Sequence, residues 1–171
     1  MPRWALSRQA TLVIAGATLL LLLVSAGARW QLSTAFEAGD EVVRTQKVLV
    51  ATRQLLNHLL DTETGQRGYV ITGREDYLAP YTAGRDAVQE DIAHLRDLVA
   101  DDAEQTKRLQ GVSVLTSVKL DEMQRTIDAR QTQGVEAANT LVANDLGRLT
   151  MERLRSLLGE MDASERSTLE G

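Results

Sequence analysis

Asp61-Thr62-Glu63-Thr64-Gly65-Gln66-Arg67-Gly68-Tyr69-Val70-Ile71-Thr72-Gly73 turns an apolar helical stripe polar without breaking its period. Leu49, Leu56 and Leu59 are spaced by seven and three, and the same rhythm continues to Glu63, Gln66 or Arg67, and Val70. A carboxylate and a guanidinium one turn apart therefore sit on a face that elsewhere points at a core. With the acid first, this i,i+4 order is the favourable one for a helix pair. On an inward face both groups must be hydrogen-bonded or hydrated, because an unpaired buried charge is costly. Thr62, Thr64 and Gln66 add donors and acceptors. Gly65 and Gly68 let a neighbouring helix approach, each at about 1 kcal/mol relative to alanine. Gly73 fits the left-handed residue just past a helix end.

Upstream, Trp30 to about Leu60 consists of good helix formers without proline, with Phe36, Val42 or Val43, Leu49, Leu56 and Leu59 as its stripe and Gly39 as its one weak point. His58, among leucines beside that stripe, reads as a packing or surface residue. Before this helix, 9–28 carries no charge between Arg8 and Arg29, and its centre is Leu19 to Val24. Twenty helical residues span roughly 30 Å, the thickness of a bilayer's hydrocarbon core. Trp4 and Trp30 flank it, as interfacial indoles do. This predicts a membrane helix, with 1–8 cytoplasmic and the rest translocated. The rival reading is a cleaved signal peptide ending at Ala26-Gly27-Ala28.

Downstream, Arg74-Glu75-Asp76 suits a helix start, and Pro80 belongs to a first turn, where its missing N–H is harmless. The second helix then runs to about Val99, with Tyr77, Tyr81, Gly84, Val88, Ile92, Leu95 and Leu98 in register. Tyr77 and Tyr81 either close the polar layer from the facing side or fill the core. Asp101-Asp102 caps a third helix ending near Thr132, with Leu109, Val112, Thr116, Leu120, Met123 and Ile127 inward. After Gln133-Gly134, a fourth helix extends from Glu136 to near Thr168 through Leu141, Leu149, Leu154, Leu158 and Met161, weakened at Asn144-Asp145 and Gly147. Charges along these two helices read as solvated faces, and Met123, Met151 and Met161 as core filler. The predicted fold is all-α: a membrane helix, 9–28, continuous with an antiparallel four-helix bundle over 30–171, with loops near 73, 100 and 134.

Composition narrows the function. There is no cysteine and there are two histidines, so no cofactor or metal site is expected. All 24 acidic residues follow Arg29, with sixteen of the 19 basic ones. Such an acidic body argues against nucleic acid as a partner. Glu63 has no nucleophile or second acid at catalytic spacing, so no enzyme activity is expected.

The run from Asp61 through Glu63, Thr64, Gly65, Gln66, Arg67, Gly68 and Tyr69, then Thr72-Gly73, then Tyr77 through Pro80 and Tyr81, resembles the signature of the third CHASE family. The name abbreviates cyclases/histidine kinases associated sensory extracellular domain. The resemblance implies an extracytoplasmic sensory bundle between two membrane helices, feeding a cytoplasmic kinase or cyclase output domain in a two-component or similar system. It also implies a homodimer. Membrane lipid and an unknown small-molecule or protein stimulus are the other partners it implies. The chain stops at Gly171, about where the family's second membrane helix would follow, and it carries no output motif. Two functions stand open: a sensory module in which the polar layer switches, and a structural, dimerising bundle in which it only fixes register.

Overall fold

The computed structural model describes residues 8–170, and over 8–40 the side chains of residues 12, 16–25, 29 and 39 only. Among the described residues every regular element is a helix. Helix α1 is Arg8–Thr72, followed by a single 3₁₀ turn at Glu75–Tyr77. Then come α2 (Leu78–Leu98), α3 (Ala103–Thr132), α4 (Val135–Val142) and α5 (Leu146–Glu170). The chain forms two compact units, Met1–Val43 and Arg44–Gly171.

In the first unit the described part is one helix. Leu12 and each residue from Leu19 to Val24 are exposed, the latter by 59–68%. Among the described residues no helix is long and apolar enough to cross a membrane. Trp4 and the side chains of Trp30 and Phe36 lie outside the described residues.

The second unit is an up-down-up-down bundle of α1 from Arg44 onward, α2, α3 and α5, with α4 set between the last two. Cross-links give the sense of each helix. Thr45 pairs with Glu165 and Thr52 with Asp162, so α5 runs antiparallel to α1. His58 pairs with Asp91 on the antiparallel α2. Glu63 meets Lys119, and the Val70 carbonyl accepts from Arg130, so α3 runs parallel to α1. The core comprises Val48, Leu55 and Leu59 of α1, Val88 and Leu95 of α2, Val112 and Met123 of α3, and Met151, Leu154 and Met161 of α5. All three methionines expected inside are there.

The helix ends follow local chemistry. Gly73 adopts φ 68°, and its N–H bonds to the Tyr69 carbonyl at 2.7 Å, closing α1. Asp102 caps α3 by accepting from the Gln105 N–H at 2.9 Å. Pro80 lies in the first turn of α2, as expected.

Four expectations are corrected. The fourth helix is two, because Asp145 takes a left-handed φ of 59° and Asn144 Oδ1 accepts the Leu146 N–H, starting a new helix. Leu149, five residues before Leu154, is off the Leu154, Leu158, Met161 register and faces outward. Val42 and Val43 are exposed, because the compact unit begins only at Arg44. On α3 and α5, Lys119, Glu122 and Glu165 are buried rather than solvated.

Among the described residues the Thr116 hydroxyl is the one fully enclosed side-chain oxygen or nitrogen with no hydrogen-bond partner. Thr116→Val keeps the shape and removes the orphaned group. We expect about 1 kcal/mol of stabilisation, read as a higher urea midpoint at unchanged slope.

Candidate functional site

The signature stretch occupies the last turns of α1, which lie one level below the turn at Gly73. Helical period places its residues on three faces, and their fates differ accordingly.

Toward α2, the glycines set the approach. A Cβ on Gly65 would lie 2.8 Å from the Tyr81 nitrogen and 2.9 Å from the Tyr77 carbonyl, so backbone meets backbone there. A Cβ on Gly68 would run into the Tyr77 ring. Gly84 returns the arrangement, lying against Thr62, whose hydroxyl donates to the His58 carbonyl at 2.6 Å. Tyr69 and Tyr81 are buried in the core. The Tyr81 hydroxyl donates to Gln124 Oε1 at 3.0 Å. Burial pushes its phenol above the ordinary value, with Arg85 opposing and Asp128 and Asp121 adding. Tyr77 stays partly exposed. Among the described residues neither the Tyr77 nor the Tyr81 hydroxyl bonds to the polar layer. Asp61, Thr64 and Pro80 are exposed and line an open groove of about 560 Å³ between α1 and α2, together with His58.

Toward α3 the layer is ionic. Lys119, 3% exposed, lies 3.3 Å from Glu63 Oε1 and 2.9 Å from Glu122 Oε2. Arg67 reaches the same Glu63 oxygen at 3.0 Å, but its side chain is 60% exposed. The expected Glu63–Arg67 pair therefore exists, yet its inner partner is Lys119. Two carboxylates share one buried ammonium, and the guanidinium covers the outside. Gln66 is buried beside them. The start of α5 closes the layer: a Cβ on Gly147 would lie 2.7 Å from Lys119 Nζ and 2.9 Å from Glu122 Oε2. Above this level, Arg130 ties α3 to the end of α1 by donating to the Val70 carbonyl at 2.9 Å.

Sequence reasoning missed Lys119 and Glu122. Their spacing of three is itself the signal: both fall beside the Thr116, Leu120, Met123 stripe rather than opposite it. It also missed a second buried polar cluster nearer Arg44. There the Glu165 carboxylate accepts from Thr45 Oγ1 at 3.1 Å and from Gln105 Nε2 at 2.8 Å. Among the described residues, no three His, Asp or Glu side chains converge as metal ligands would.

The architecture is an up-down-up-down helical bundle whose first helix carries an ionic layer toward its far end. Residues 38–171 match the CHASE3 domain, and the chain belongs to that family. It is similar to the crystal structure of the Rhodopseudomonas palustris histidine kinase HK9 sensor domain. The two share 25% identity at a TM-score of 0.68, over 72% of this chain and 97% of that one. No curated protein matches the chain. The family and this likeness identify the chain as a sensory input module.

Proposed function

We propose that the chain is the extracytoplasmic input domain of a bacterial transmembrane signal transducer, and that the layer of Glu63, Gln66, Arg67 and Tyr69 changes its contacts between signalling states. The observation that carries this is the double claim on one oxygen. Glu63 Oε1 is held from inside by Lys119 and from outside by the exposed Arg67. The Lys119 contact crosses between helices while the Arg67 contact stays within α1, so a shift of α1 would strain the first and spare the second, which is the kind of two-state contact a switch needs. A small shift of α1 against α5 that also moves it along α3 would weaken the Glu63–Lys119 contact and leave Glu63 to Arg67 on its own helix.

The anchor over 9–28 belongs to the same proposal. An unbroken run of exposed leucines from Leu19 to Leu23 is stable against an apolar surrounding, and a bilayer supplies one. The basic residues Arg3 and Arg8 favour a cytoplasmic N-terminus at the inner membrane. A homodimer, and a kinase or cyclase output domain beyond the membrane, complete the reading.

The test is Arg67→Ala in a transducer carrying this domain, read as output activity. We expect basal or stimulated output to shift at least about fivefold, the lower end of usual coupling strengths. Unchanged output with normal folding would leave the layer only a register role.

A further inference from the structure

Beside the ionic layer lies a second cavity, of about 220 Å³, between α1, α3 and the start of α5. We propose that it binds a small zwitterion, an α-amino acid the size of glycine, alanine or serine. The proposal rests on the sensory reading and names the stimulus chemistry for that layer.

Three observations carry it. Gln66 lines the cavity and is only 3% exposed, yet its amide has no hydrogen bond recorded among the described residues. Thr116 Oγ1 is the one fully enclosed unpartnered atom there, so the Gln66 amide is not sealed in protein but opens into the cavity. A buried amide offers two donors and an acceptor to whatever occupies that space. Second, Gly147 and Arg148 line the cavity and begin α5. N–H groups of a first turn have no partner within the helix and favour a carboxylate. Third, the lining charges balance: Glu63, Glu122 and Asp145 face Arg67, Lys119 and Arg148. A ligand of net charge would upset that balance beside the buried Glu63, Lys119 and Glu122, whereas a zwitterion would not.

Valences remain on both signs. Arg67 uses only Nη2 on Glu63, Glu63 offers a second oxygen, and Arg148, which holds Asp145 through Nε and Glu152 through Nη1, keeps Nη2. The ligand carboxylate is placed at the α5 start with Arg67 and Arg148, and its ammonium at Glu63 and the Gln66 carbonyl. A cavity of about 220 Å³ has room for a molecule the size of a small amino acid.

The test is calorimetric titration of the full chain in detergent with glycine, L-alanine and L-serine, and with acetate and methylammonium as half-ligands. At least one amino acid should bind with Kd below about 1 mM, and each half-ligand at least about tenfold more weakly. Gln66→Leu and Arg148→Gln should each weaken binding at least about tenfold without lowering Tm. Arg148 lies at the exposed mouth, so its variant decides the matter if Gln66→Leu does not fold. Failure of all three amino acids to bind would overturn the proposal. So would acetate binding as tightly as an amino acid, or unchanged affinity in the folded variants. An Arg67→Ala output change with no amino acid bound would sink this inference and leave the sensory reading standing.

Discussion

Lys119→Met should destabilise the bundle by about 3–5 kcal/mol, the usual result of removing one partner from a buried ionic group. The substitution leaves Glu63 and Glu122 facing each other inside the protein with only the exposed Arg67 to offset them. Methionine fills nearly the same volume, so packing contributes little to the loss. Replacing all three together, as Glu63→Leu, Lys119→Met and Glu122→Leu, should recover most of that stability or exceed the wild type. Well-packed apolar residues often match or better a buried ion set. Chemical denaturation of both variants checks the pair of expectations. A triple variant as unstable as the single would mean that α3 and α1 need these charges to find their packing at all.

The second large effect concerns Gly65. Alanine there has better intrinsic helix propensity by about 1 kcal/mol, yet its methyl would press on backbone atoms of Tyr77 and Tyr81, which cannot swing aside. Overpacking of this kind costs about 1–3 kcal/mol, and against backbone it falls at the upper end, so Gly65→Ala should be net destabilising by up to about 2 kcal/mol. Gly159 on α5 is the internal control, with nothing within 4 Å of its would-be Cβ. Gly159→Ala should stabilise by about 0.5–1 kcal/mol. Opposite signs for the same change in one protein, measured by thermal melting, isolate the close approach of α2 as the cause.

Much of this architecture was legible from residue order. Period alone placed Leu59, Val88, Leu95, Val112 and Met161 inside, and turn chemistry placed Gly73 and Asp102 at helix ends, because those choices are local. The break in the last helix was visible as weak propensity at Asn144-Asp145. The outward Leu149 was legible as well, because five residues before Leu154 is off the Leu154, Leu158, Met161 register. The family signature drew attention to Glu63 and Arg67, since both lie in the single run from Asp61 to Tyr69. Lys119 escaped notice because a lysine among helical charges reads as solvated unless its partner on another helix is known. Gly147 escaped for the same reason: its role is to let the start of α5 press on a pair supplied by α3. Residues whose meaning is tertiary stay silent in the sequence, and here they include the inner half of the candidate site.

The central claim is that the ionic layer switches rather than merely fixing register, and the triple variant at Glu63, Lys119 and Glu122 separates the two. Placed in a transducer carrying this domain, it should fold with stability near or above wild type and yet give an output that no longer responds to stimulus. A folded triple variant with a normal response would contradict the claim.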